Sequence, residues 1–217
     1  MKTITVEQLR EKLAGLGGAL KFGKHNVASG ECCALELVCA VRKCSDDGAD
    51  LSDDPEVVGM PDFRNINDAT WESDAQRTKH MLPVLAAFSD YTKWDKNRKA
   101  RASNIFLPAF VREVFSLYLH ALKYKKEAAI CEAVKDVDSA RKALGSSARA
   151  RAIAPARAPA PALDLALARA RALDLALDLA LDLDLDLVRE KILEKMCMVL
   201  VSCALESKEE SSKGVGK

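Results

Sequence analysis

Residues 172–190 read "ALDLALDLALDLDLDLVRE", a run in which Leu alternates with Asp or Ala before an ordinary helical spacing returns. Alternation is the signature of a strand with one apolar face, so this stretch decides between an all-α and a mixed chain. Propensity points the other way, because Ala and Leu are strong helix formers while Ala and Asp are depleted in strands. A lone strand of this length would also carry an unpaired edge open to aggregation. The reading is therefore helix from about Leu163 onward. Its leucines then face every direction around the axis, since a period of two does not match a turn of about 3.6 residues. A helix of that kind, about 37 Å long over 163–187 at the usual rise, needs a partner, a second copy or a broad apolar surface to cover it.

The two-residue period begins well before the leucines. From Ala148 to Leu187 every even position is Ala or Asp, and the odd positions take Arg, Ile, Pro or Leu. Ala and Asp codons begin with G, and Arg, Pro and Leu can all be written with codons beginning with C, so slippage on a short GC-rich repeat accounts for the text without selection for a fold. Pro155, Pro159 and Pro161 exclude a helix over 154–161 and imply an extended linker. Beyond the repeat, "VREKILEKMCMVLVSCALESKEE" places Ile192, Leu193, Met196, Val199, Leu200 and Cys203 at helical spacing. The expected organisation is a helical domain over 1–145, a linker over 146–162, a Leu-rich arm and C-terminal helix over 163–207, and an unstructured tail over 208–217.

Upstream of the repeat the pattern is helical throughout. Thr5 and Gln8 have the form of a capping box ahead of Leu9, Leu13 and Leu16, with Gly17 and Gly18 as the stop. A buried helix is expected from about Ser29 or Gly30 through Val41. A loop follows over 45–61, where Asp, Gly and Pro gather. Ser73 and Gln76 offer a second box for a helix through Met81, Val84, Leu85 and Phe88, kinked near Pro83. Further helices are expected over 105–122 and 126–144, the latter stopped by Gly145. The fold class is all-α.

Composition narrows the function classes. The chain has 217 residues, 49% of them apolar, and its 33 basic and 32 acidic residues leave a net charge of +1. That total gives no bias toward nucleic acid or an anionic membrane. Glu7 and Glu11 interrupt any secretory signal, and the apolar run over 196–205 is too short to span a bilayer. A cytoplasmic protein without a membrane span is expected, with its seven cysteines reduced.

The residues able to carry chemistry cluster near the front of the chain. Cys33 at a helix N-terminus, His25 as base and Asp53 or Asn67 as orienting group would supply a thiol-dependent hydrolase or transferase. The alternative is that the cysteines pack in a core and His25 serves a loop, which is the preferred reading. The spacing of Cys32, Cys33, Cys39 and Cys44 does not make a zinc site, because no second knuckle follows. No cofactor or metal is expected. Residues 93–104, "KWDKNRKARASN", hold basic side chains beside Trp94 that could grip phosphate and stack on a base, but such runs are usually solvated helix faces. Nucleic acid through 93–101 is therefore the weakest of the three readings. Phosphate-loop, serine-elbow and zinc-protease motifs are absent.

Gly23, His25, Cys33 and Glu36 form a Gly-x-His segment followed by Cys-x-x-Glu. With "SDDP" at Ser52–Pro55, the pair Asn67 and Asp68, "MLP" at Met81–Pro83 and "REKILEKM" at Arg189–Met196, the chain resembles a family of short uncharacterised proteins of actinobacteria and their phages. In that family the turn reads Ser-Asp-His-Pro, where this chain has Asp54, and an Ala-rich stretch precedes the final helix. The resemblance spans roughly residues 9–85 and the end of the chain. It implies an accessory protein of phage or bacterial origin and brings no activity with it. The functional expectation is protein contact, by docking or self-association through the C-terminal helix, with no enzymatic activity.

Overall fold

The computed structural model describes residues 3–25, 29–44, 51–146 and 186–213. The linker and most of the Leu-rich arm, 147–185, lie outside the described residues, as does the expected helix onset near Leu163. Every regular element described is a helix, as the sequence implies. The β-type contact present is one isolated bridge between Leu20 and Cys32.

Contacts divide the chain into two compact units, 1–94 and 95–217, whereas the domain read from sequence over 1–145 spans parts of both. In the first unit, α1 (Val6–Ala14) begins at Thr5, whose hydroxyl accepts the Gln8 N–H at 3.2 Å while the Gln8 side chain accepts the Thr5 N–H at 3.0 Å. The expected capping box is thus present. Leu9 and Leu13 are buried, and the helix ends at Gly15, ahead of the glycine pair. Gly17 serves the return loop instead: its φ of +78° is left-handed, and a Cβ there would lie 2.8 Å from the Gly30 carbonyl oxygen.

α2 (Ala34–Arg42) starts at Cys33, later than the expected Ser29 or Gly30. The loop expected over 45–61 contains one turn of helix, α3 (Pro55–Val58), capped by Asp54, whose carboxylate accepts the Glu56 N–H at 2.8 Å. Pro55 at the first helical position fits, because its missing N–H would have had no partner there. A second short turn, α4 (Arg64–Asn67), leads to α5 (Asp74–Ala87). Ser73 caps α5 by accepting the Gln76 N–H at 3.2 Å. α5 passes through Pro83, which removes the donor for the Lys79 carbonyl but leaves the helix unbroken. α1, α2 and α5 enclose Leu9, Leu35, Leu37, Met81 and Leu85. Phe63, Phe88 and Trp94 close one end, the Phe63 ring edge-on to Phe88 at 5.2 Å between centroids.

The second unit opens with α6 (Lys96–Ala109), capped by Asp95, which accepts the Arg98 N–H at 2.6 Å. Where a helix was expected only from Ile105, it begins at Lys96, because Asp95 supplies an N-cap that the charge run conceals. Past Pro108 it widens into a π-helical segment, Phe110–Phe115, and returns to α-geometry as α7 (Ser116–Ala121). The helix expected over 126–144 is two: α8 (Lys125–Glu132) and α9 (Val137–Ser146). Asp136 and Ser139 cause the break, since Asp136 accepts the Ser139 N–H at 2.7 Å and Ser139 Oγ accepts the Asp136 N–H at 3.0 Å. Gly145 lies inside α9 and does not stop it.

The last helix, α10 (Asp186–Lys213), runs into the segment read as an unstructured tail. The Glu and Lys residues there are compatible with helix on propensity alone. Ile192, Leu193, Met196, Leu200 and Cys203 are buried, and α10 packs chiefly on α6 and the π-segment. Each large side chain so covered stabilises the packing by about 1.5–3 kcal/mol before entropy is counted.

Candidate functional site

Of the four residues singled out by sequence, His25 and Cys33 are fastened at the N-terminus of α2 by a carboxylate that sequence reasoning did not assign a role. Asn67 meets the same helix start through its own amide, and Asp53 is not tied to it by any described contact. Glu36 is fully buried. Its two oxygens accept the Cys33 N–H and the His25 N–H, each at 2.7 Å. Cys33-x-x-Glu36 is a capping box with cysteine in the place of serine, and that pattern is the signal that could have identified the clamp. One arm satisfies the helix start. The other fastens the loop that carries His25.

Asn67, at the end of α4, is buried and completes the arrangement. Its Oδ1 accepts the Ala34 N–H at 3.3 Å, and its Nδ2 donates to the Lys21 carbonyl at 2.9 Å and to Asp68 Oδ1 at 2.7 Å. Asp68 Oδ1 in turn accepts the Gly23 N–H at 2.9 Å. The Asn67 carbonyl accepts from Arg77 Nε at 2.7 Å, and Arg77 also donates to the Leu20 carbonyl and to Asp74. Asp53 is placed by Lys24, the neighbour of His25, at 3.9 Å. Arg77, a buried arginine, carries no sequence signal that marks it.

The chemistry of this cluster is that of a scaffold. Cys33 does occupy a helix N-terminus, where the dipole favours a thiolate. Burial outweighs the dipole, and the Cys33 thiol is pushed up to about 12, with Cys32 beside it likewise at about 12. His25 directs Nδ1 at Glu31, 3.5 Å away. Nε2 of the same ring is buried without a hydrogen-bond partner among the described residues, so neither nitrogen is engaged with the Cys33 sulfur. Asn67 spends its amide on backbone groups and Asp68, not on an imidazole. The cluster therefore brings the right residue types together in roles that order three loops around one helix start. Among the described residues no group of His, Cys, Asp and Glu side chains is arranged to hold a metal ion.

The other histidines are structural in the same sense. His80 stacks on Trp71 at 5.7 Å, with the rings 11° from parallel, and His120 Nε2 lies 2.7 Å from Glu132.

In the second unit, the basic run resolves into parts with separate duties. Arg98 and Arg101 turn toward α10 and donate to the carbonyls of Ala204 and Ser207 at 3.5 and 3.4 Å. Trp94, which belongs to the first unit, is buried, with Nε1 donating to Asp90 at 2.6 Å, and is no stacking platform for a base.

A groove of about 380 Å³ runs beside α10, with Asn104, Pro108 and Arg112 on one wall and Met198, Ser202 and Glu206 on the other. It lies where Pro108 and the π-segment depart from α-geometry, since Pro108 takes away the donor for the Asn104 carbonyl and the widened turns leave space. Met198 and Leu205, seven residues apart on the outward side of α10, are 52% and 54% exposed. No helix of the described residues is long and apolar enough to cross a membrane. No protein-family model, no curated protein and no solved structure matches this chain.

Proposed function

We propose that this chain is an accessory protein, of the phage or bacterial kind its motifs resemble, that works by protein contact and not by catalysis. The contact is self-association through the outward face of α10. One observation carries the reading: Met198 and Leu205 stand in water on a single helical face beside an open groove, where a monomer gains nothing from them. Charge on the same face supports a second copy as the occupant. Lys191 lies toward the N-terminal half of α10 and Glu206 toward the C-terminal half, while Lys195 is paired with Glu113 of its own chain at 3.7 Å. An antiparallel crossing near Val201 turns Glu206 of each copy toward the Lys191 end of the other, as an isologous interface requires.

The thiol-enzyme reading has less support, because a thiol pushed up to about 12 supplies almost no thiolate at neutral pH. Sedimentation velocity over a wide concentration range tests the proposal. A mass that rises with concentration in the wild-type chain, and stays monomeric in Met198→Asp/Leu205→Asp of unchanged helicity, is the expected result. A wild-type chain that remains strictly monomeric at the highest concentration overturns it.

A further inference from the structure

The far end of α2 holds a second pair of cysteines that the cluster at its N-terminus does not use. Lys43 follows the helix in the left-handed region, φ 55° and ψ 49°, and turns the chain back on itself. Cys44 N–H consequently reaches the Cys39 carbonyl at 3.1 Å. A bond of this span over a left-handed residue is the Schellman closure, which brings the two flanking side chains into contact. Here those side chains are both free thiols. Cys39 is buried and Cys44 is partly exposed, so a reagent in water meets Cys44 first. Cys39 Sγ also accepts the Ser52 N–H at 3.3 Å, tying the start of the following segment to the same sulfur.

We propose that Cys39 and Cys44 are a redox modification site that closes to a reversible intramolecular disulfide, with Cys44 meeting the oxidant and Cys39 resolving it. The oxidant is a hydroperoxide, hydrogen peroxide in the simplest case. The Cys44 thiolate attacks one peroxide oxygen, the O–O bond breaks, and hydroxide leaves and takes up the Cys44 proton as water. Cys44 is then a sulfenic acid. Cys39 sulfur attacks it, the S–O bond breaks, the S–S bond forms, and the oxygen departs as a second water with the Cys39 proton. Two thiols and one hydrogen peroxide give one disulfide and two waters. Burial and the Cys39 sulfur push the Cys44 thiol up, whereas the Arg42 charge, fixed on the carbonyls of Val58 and Ser89, works against that rise. The first step is therefore slow. The second is fast, because the turn closed by the Cys44 N–H on the Cys39 carbonyl keeps the resolving cysteine beside the first.

Trypsin makes the test direct, since it cleaves after Arg42 and after Lys43 and so separates the two cysteines. The full chain is treated with hydrogen peroxide under native conditions, blocked with N-ethylmaleimide and digested without reduction. The expected product is peptide 25–42 joined to peptide 44–64, with fragmentation assigning the link to Cys39, and with dithiothreitol parting the two. In Cys44→Ser, Cys39 is expected to stay reduced through the same treatment. A link from Cys44 to Cys32 or Cys33 overturns the proposal. So does Cys44 recovered singly as a sulfinic acid with Cys39 still free, or Cys39 oxidised as readily without Cys44.

Discussion

Glu36 and His25 are joined by a 2.7 Å bond from the His25 backbone N–H to the Glu36 carboxylate, whose other oxygen takes the Cys33 N–H. A fully buried carboxylate holding two main-chain donors is a clamp between a helix start and a loop. An unsatisfied buried donor costs about 1–3 kcal/mol. Glu36→Ala is therefore expected to lose about 2–6 kcal/mol in urea unfolding, and Glu36→Gln about half of that, since one of its two side-chain oxygens remains to accept.

Asn67 stands at the other side of the same knot. Asn67→Asp keeps the size and the acceptor for Ala34 but removes both donors and sets a carboxylate 2.7 Å from Asp68. It should destabilise at neutral pH by more than Asn67→Ala, and recover relative to Asn67→Ala as pH falls and one of the paired carboxylates takes a proton. Thermal unfolding of both variants at neutral pH and near pH 4 measures the crossover. Equal losses at both values would show that the Asp68 contact carries no weight.

Much of this was legible in the sequence, and the omissions have physical causes. Thr5 with Gln8, and Ser73 ahead of α5, announced themselves because their oxygens are the ordinary capping groups. Cys33 with Glu36 is the same device concealed by a sulfur, so its residues read as chemistry when they serve as a cap. The helix starts at Lys96 and Val137 were missed because Asp95 and Asp136 sit in charge-rich text, where a cap cannot be told from a solvated side chain. His25, Cys33 and Asn67 drew notice by residue type, as candidates for a thiol-enzyme set. Their work followed from burial, which spacing does not encode.

Cys33 itself offers a test of the scaffold reading against the catalytic one. Its thiol is pushed up to about 12 by burial, against about 8.5 for a free cysteine. Iodoacetamide labelling of the native chain, followed by pH, should show Cys33 reacting with a midpoint far above the free-thiol value and more slowly than the partly exposed Cys44. A midpoint below about 8.5 at Cys33 would restore the thiol-enzyme proposal.

The basic run makes opposite predictions under its two readings. Arg98 and Arg101 reach the carbonyls of Ala204 and Ser207 on α10, whereas Lys96 is exposed. Arg98→Ala/Arg101→Ala should lower the stability of the second unit by about 1–2 kcal/mol, at roughly 0.5–1.5 kcal/mol for each bond and its packing. Lys96→Ala should leave it unchanged. Retention on DNA that falls with salt, and falls further in Lys96→Ala, would favour a nucleic-acid surface instead.

Buried thiols also set how stability depends on pH at the alkaline end. Burial pushes Cys32, Cys33 and Cys197 up to about 12 and Cys131 up to about 11. In each case the folded value lies above the unfolded one, so the folded chain keeps a proton that the unfolded chain releases. The stability this gives is complete below about pH 8.5 and is lost as pH rises through the window up to about 11–12. Each unlinked thiol contributes a slope of about 1.4 kcal/mol per pH unit inside that window. The melting temperature should therefore fall steeply above pH 9 and recover on return to neutral pH in the presence of a reductant. Lysine and tyrosine titrate in part of the same range, and Cys197→Ala separates them. That variant is less stable at pH 7 because it leaves a small cavity in the α10 packing, yet its stability should fall less steeply above pH 9 than the wild type's. A slope identical to the wild type's would mean that the Cys197 thiol ionises as freely folded as unfolded, and burial would then not govern its proton.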